Sequence, residues 1–129
     1  MKILVINGHP DKESYCQAIF QTIVETIDSN RHELQVISLN EEDFDPVLRY
    51  GYRKRMEEDS FILRSQEWIQ WADHLIFVYP IWWSSMPSLM KGWIDRVFTP
   101  GIAYSANDQG SFIWNYLRGK QFKKLLKGK

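Results

Sequence analysis

His74-Leu75-Ile76-Phe77-Val78-Tyr79-Pro80-Ile81-Trp82-Trp83-Ser84-Ser85-Met86-Pro87 is the stretch whose reading decides the architecture of this chain. Residues 74–79 form a continuous apolar run, the pattern of a strand covered on both faces. Residues 88–98 read as a helix. The short loop between them carries two adjacent tryptophans, where a compact protein normally places small polar residues. Large flat side chains at a strand-to-helix turn suggest a platform for a flat ligand. In an open α/β sheet, ligands bind in the crevice at the carboxyl ends of the strands.

Working outward, Ile3-Leu4-Val5-Ile6 is a second continuous apolar run, closed by Gly8 and Pro10. Tyr15, Ala18, Ile19, Thr22, Ile23, Thr26 and Ile27 follow a helical spacing, with Ser14 as the expected N-cap and Asn30 near the expected end. Residues 34–39 form a weaker strand candidate. Residues 40–59 are polar and broken by Asp45-Pro46 and Gly51, so a long loop with short helical turns is expected there. A helix is expected over 60–72. The order β-α-β-α-β-α implies an α/β protein, a parallel sheet with right-handed crossovers and helices on both faces, in one domain over 1–129. After Phe98 the pattern fades: 99–105 reads as a loop, 107–110 as a turn, and 112–117 fits either an alternating or a helical pattern.

The bulk numbers set limits. A chain of 129 residues suffices for one core. Lys+Arg and Asp+Glu are both 16, a balance that asks for neither nucleic acid nor an anionic membrane. Cys16 is the single cysteine, so no intrachain disulfide can form, which suits a reducing cytosol. The first apolar run is too short for a signal peptide, and no run approaches the ~20 residues of a membrane span. A cytoplasmic location is therefore the expectation, and no metal-ligand pattern stands out.

Two loops carry chemistry. Gly8-His9-Pro10-Asp11-Lys12-Glu13-Ser14-Tyr15 joins the first strand to the first helix, and such a turn aims backbone N–H groups and the positive end of the helix dipole at one point, where a phosphate can sit. His9 and Ser14 can each donate a further hydrogen bond, while Asp11 and Glu13 are expected to face solvent. Neither the G-x-x-x-x-G-K-[ST] loop nor the G-x-G-x-x-G fingerprint is present. Ser14 as a plain N-cap and His9 as a solvated turn residue stay open as the alternative. In a 2-1-3 strand order the aromatic turn opens on the same crevice, at the topological switch point; flavodoxin, which holds FMN at its β1/β3 switch point, is the general precedent for this step. Trp82 and Trp83 could instead pack in the core or in a subunit contact. Trp93 is expected on the core face of its helix, and Asp95-Arg96 as a solvated pair or part of an interface.

These residues resemble the flavodoxin-like NAD(P)H:quinone oxidoreductases, a group that includes ancillary proteins of bacterial potassium efflux. The matching pieces are Gly8-His9-Pro10 with Ser14-Tyr15, Phe44-Asp45-Pro46-Val47-Leu48, Ala72-Asp73-His74-Leu75-Ile76-Phe77, the run from Tyr79 through Phe98, and Gly101-Ile102-Ala103-Tyr104. The resemblance implies that His9, Ser14, Tyr15 and Cys16 contact the flavin phosphate or pyrophosphate. It implies that Pro80, Ile81, Trp82, Trp83 and Ser84 hold the isoalloxazine ring, largely through backbone atoms. It further implies FMN or FAD as cofactor, NAD(P)H as co-substrate, a quinone as acceptor and a homodimer with the active site at the subunit contact.

In the family, a segment like Leu126-Lys127-Gly128-Lys129 leads into the fourth parallel strand. The expectation is therefore a shortened member with the later strands absent and no catalytic residue assignable from the resemblance. The third strand would then be an exposed edge, covered by a partner chain, covered by residues 112–125, or left open in a weakly stable domain. The basic ending could be an anion-binding patch or the solvated end of an amphipathic helix. A flavin- or nucleotide-binding module without catalysis, a regulatory subunit, and a truncated inactive member stand as alternatives to the reductase.

Overall fold

The computed structural model describes residues 1–102 and, beyond them, the backbone of Tyr104–Ser105 and Lys123–Lys124. The expectations for 107–110 and 112–117 lie outside the described residues. Strand β1 (Lys2–Asn7) is followed by α1 (Tyr15–Thr26), β2 (Glu33–Ser38), a 3-10 turn at Leu39–Glu41, α2 (Ser60–Trp71), β3 (His74–Val78) and α3 (Ser88–Val97). The strands form a parallel sheet in the order β2-β1-β3. This is the 2-1-3 order expected of a flavodoxin-like sheet. Short β4 (Tyr104–Ser105) pairs antiparallel with β5 (Lys123–Lys124), which corrects the reading of 99–105 as loop throughout and of the basic ending as helix at those two lysines. Among the described residues β3 has one partner, β1.

Alternation along the central strand sorts the core. Leu4 and Ile6 face one side, where they meet Ile37, Leu39, Phe61, Ile62, Ile69, Met90, Trp93 and Val97 under α2 and α3. Ile3 and Val5 face the other, with Phe20 of α1 and Val78. Both faces of β1 are covered, which is why its residues 3–6 are apolar without a break.

The inward stripe of α1 differs from the one expected. Cys16, Phe20, Ile23, Val24 and Ile27 pack on the sheet, while Tyr15 and Ile19 point outward and the Thr22 and Thr26 hydroxyls donate to the Ala18 and Thr22 carbonyls one turn back. Burying the stripe with Phe20 and Val24 removes more apolar surface from water than burying Ala18, Thr22 and Thr26 would. Helix α1 also stops at Thr26, before Asn30, with Ile27 extended and its N–H donating to the Ile23 carbonyl.

Helix α3 is held from two directions. Trp93, fully buried as expected, donates its indole N–H to the buried Ser65 hydroxyl of α2 at 3.1 Å, and its ring meets Phe77 and Phe98 edge-on. On the opposite flank the segment 44–48 crosses the helix at Gly92, where a Cβ would collide with the Pro46 carbonyl and ring. Arg96, buried, donates to the Asp45 carbonyl, so it is neither a solvated pair with Asp95 nor free for an interface. Lys91 takes Asp95 instead. The Asp45 carboxylate accepts from Arg49 at 2.6 Å and from the Val47 N–H at 3.0 Å, and these bonds hold its pKa below the ordinary carboxylate value. Stability from this carboxylate is therefore present above the ordinary aspartate range and is lost only as pH falls through the lowered folded value. Because Asp45 is only half-buried and solvent screens its pair with exposed Arg49, the effect is small.

Gly92→Ala is expected to destabilise by about 1–3 kcal/mol, the cost of overpacking against backbone that cannot swing aside. Urea unfolding monitored by tryptophan fluorescence reads this as a lower midpoint; an unchanged midpoint would show that the Pro46 crossing yields.

Candidate functional site

The carboxyl ends of β1 and β3 open the crevice. The Gly8 N–H donates to the Val78 carbonyl at 2.8 Å, joining the two strand ends where their loops depart. A Cβ on Gly8 would meet the Met90 side chain, so glycine lets the start of the loop lie against α3.

In the first loop, backbone amides are bound in sequence by side chains. His9 N–H donates to Asn7 Oδ1 at 3.1 Å, Asp11 N–H to His9 Nδ1 at 2.9 Å, and Glu13 N–H to Asp11 Oδ1 at 3.0 Å. Because His9 Nδ1 accepts, the proton of the neutral imidazole sits on Nε2, which becomes a donor. Ser14 caps α1, its Oγ accepting from the Gln17 N–H at 3.1 Å, and its own O–H can still donate outward. The first amides of α1, those of Tyr15 and Cys16, have no intrahelical acceptor by helix geometry. Asp11 and Glu13 are exposed, as expected.

In the second loop, Trp82 and Ser85 exchange two backbone hydrogen bonds, N–H to O at 2.8 and 3.1 Å, around Trp83 and Ser84. Trp83 has φ 51° and Ser84 φ 59°. Two successive positive φ values between paired residues define a type I′ turn, which ordinarily selects Asn-Gly. A tryptophan in the left-handed region is a costly choice for a turn. Trp83 is also fully exposed, and Ile81 is 76% exposed. Core packing therefore does not explain the tryptophan pair. Trp82 lies over the first loop, its ring centroid 5.3 Å from that of His9 at an interplanar angle of 79°. This edge contact joins the donor loop to the aromatic loop.

Of the residues singled out in the sequence, His9 and Trp82 touch. Ser14 stands at the helix cap, Tyr15 is 81% exposed on the outer side of the first turn, and Cys16 packs inward against the Ile3, Val5 and Phe20 cluster. Pro80 is half-buried and Ser84 exposed at the turn tip. Four further residues that sequence reasoning missed surround the first loop: Asn7, Gln17, Ser38 and Asn40. Asn7 is fully buried; its Nδ2 donates to Gln17 Oε1 at 2.8 Å and to Ser38 Oγ at 3.4 Å. Asn40 Nδ2 donates to the His9 carbonyl at 3.1 Å and to Gln17 Oε1 at 3.2 Å. The signal was present: a polar residue at position 7 continues the inward alternation of Ile3 and Val5, and a buried polar side chain needs partners.

The arrangement offers hydrogen-bond donors and a helix N-terminus on one side and exposed aromatic and backbone surface on the other. This donor set suits a phosphate, and the turn suits a planar ring. Among the described residues no cluster of His, Cys, Asp and Glu could hold a metal ion, and no helix is long and apolar enough to cross a membrane.

Comparison with known proteins defines the class. A model of the flavodoxin-like fold matches residues 1–126, and the chain belongs to that family. It is similar to a ribosyldihydronicotinamide dehydrogenase-like protein of Penicillium crustosum, at 30% identity over 88% of this chain and 50% of the relative. An NAD(P)H oxidoreductase of Haemophilus influenzae is 30% identical over 98% of this chain and 63% of its own length. Among solved structures, Smu.1420 from Streptococcus mutans aligns with all of this chain and 64% of its own, at TM-score 0.79 and 32% identity. An NAD(P)H:quinone oxidoreductase from Methanothermobacter marburgensis aligns over 86% of this chain and 60% of its own, at TM-score 0.70 and 28% identity. The chain thus spans about half to two thirds of the length of these relatives.

Ser84→Gly is expected to stabilise the fold by about 0.5–1 kcal/mol, because glycine meets the positive φ without strain and the exposed serine surrenders no packing. A higher thermal midpoint supports the strained turn; an equal or lower one contradicts it.

Proposed function

We propose that this chain binds FMN or FAD at the β1/β3 crevice and takes part in hydride transfer from NAD(P)H to a quinone. The observation that carries the reading is the His9–Trp82 contact, which brings a phosphate-type donor loop and an exposed aromatic turn to one end of the sheet. Names of the relatives at about 30% identity, dehydrogenases and oxidoreductases of NAD(P)H type, support the same chemistry.

Bound there, the flavin would supply the two-electron chemistry linking NAD(P)H to the quinone. The chain's own residues would bind and orient it. His9 Nε2–H, Ser14 Oγ–H and the first amides of α1 would hold the phosphate, with Tyr15 and Cys16 contributing backbone. Pro80, Ile81, Trp82, Trp83 and Ser84 would hold the ring, through backbone groups of the turn and the flat face of a tryptophan. Exposed Tyr15, Ile81 and Trp83 also suit a homodimer whose subunit contact closes over the site. The cytoplasm, where NAD(P)H is supplied, is the location we propose.

The visible spectrum of protein purified with added FMN or FAD tests this. Flavin absorbance that persists through desalting and bleaches anaerobically with NAD(P)H is expected, and Trp83→Ala should weaken retention several-fold. Loss of all flavin on desalting would overturn the reading. Flavin that is retained but not bleached would leave a binding module without reductase activity. Unchanged retention in Trp83→Ala would remove that residue from the site.

A further inference from the structure

We propose that Asn7 and Asn40 are positioning residues that clamp the His9 backbone from both sides and so set the shape of the phosphate-receiving loop. The proposal rests on the flavin reading above. Asn7 Oδ1 accepts from the His9 N–H, and Asn40 Nδ2 donates to the His9 carbonyl. One residue of loop thus has both of its peptide groups fixed by side chains, one from the end of β1 and one from the 3-10 turn that follows β2. Both asparagines also share Gln17 Oε1 as acceptor, and Gln17 lies in the first turn of α1 with its N–H on the Ser14 cap. The same network therefore reaches His9 on one side of the seat and the helix N-terminus on the other.

Strand register explains the assembly. Asn7 pairs with Ser38 across the parallel ladder, so the two side chains stand on one face, and Ser38 Oγ donates on to Asn40 Oδ1 at 3.0 Å. That face is the α1 side, already set by Ile3 and Val5. All three polar functions of the buried Asn7 amide are used: two donors to Gln17 and Ser38, one acceptor from His9. An apolar residue at position 7 could fill the space, but nothing would then hold the His9 N–H. The network has no group that carries charge, so it holds the loop without competing for the anion.

The test compares FMN with riboflavin, which shares the ring and ribityl chain but lacks the phosphate, by fluorescence titration of the full chain. Wild-type protein should bind FMN more tightly than riboflavin. Asn40→Ala, which loses one backbone hydrogen bond to the loop, should weaken FMN about five-fold while changing riboflavin by less than about two-fold. Equal loss for both ligands would mark Asn40 as merely structural and overturn the proposal, as would no loss for either. Ser38→Ala removes only the bridge between the two asparagines and should show the same phosphate-selective loss at smaller size. If circular dichroism shows Asn40→Ala unfolded, Ser38→Ala decides by the same criterion. Wild-type protein that binds neither FMN, riboflavin nor FAD overturns the flavin reading and this proposal with it; if it binds FAD but not FMN, FAD takes the place of FMN in every comparison. Wild-type protein that binds both alike overturns the phosphate seat alone.

Discussion

A fully buried amide at the end of a buried strand is the constraint on which the site depends. Central strand β1 is covered on both faces, so its side chains from Ile3 to Asn7 are all in the interior. At Asn7 the apolar series stops, and the interior turns polar at the point where the chain must leave the sheet. Burying that amide costs free energy unless each of its groups is paired. The partners come from α1, from the end of β2 and from the departing loop itself. Satisfying one side chain therefore fixes how three elements meet, and the crevice at the carboxyl end of the sheet inherits that geometry.

The second loop is built on the opposite plan. The first is tied down by side chains acting on backbone, whereas the aromatic turn closes on its own backbone and leaves its side chains exposed. Its two residues in the left-handed region store strain that a simple connection would avoid with Asn-Gly. Buried Pro87 and the packing of α3 on α2 through Trp93 and Ser65 anchor the far end of the turn. The crossing of 44–48 over Gly92 presses α3 from its other flank. A turn held from outside can keep a tryptophan in the open, which suits a surface made to be covered by a ligand or a second subunit.

How much of this was legible in the sequence depends on whether the cause was local. Strands β1 and β3 announce themselves by unbroken apolar runs while the half-exposed β2 reads only as a weaker candidate, and Ser14 announces a helix start because its side chain caps the turn it begins. The inward face of α1 was misread: Ala18, Ile19 and Thr22 fit the helical spacing as well as Cys16, Phe20 and Val24 do. Only the packing partners Ile3, Val5 and Val78 choose between the stripes. The type I′ turn was illegible since Trp-Ser is not a sequence that such a turn selects. Apart from the neighbouring pair Ser38 and Asn40, the members of the Asn7, Gln17, Ser38 and Asn40 network lie 10 to 31 positions apart where they bond, and no spacing rule joins them. Asn7 alone gave a sign, as a polar residue on the inward alternation of a buried strand. Arg96 resembled a surface charge beside Asp95 and proved to be a buried donor to a loop 51 positions earlier.

Amide hydrogen exchange of the protein with and without FMN addresses the central claim directly, since it reports on both loops at once without altering a residue. Slowed exchange should be confined to peptides covering 9–17 and 79–86, the two loops joined by the His9–Trp82 contact. Protection of one loop without the other, or protection centred elsewhere such as on 49–55, would contradict a shared site at the β1/β3 crevice.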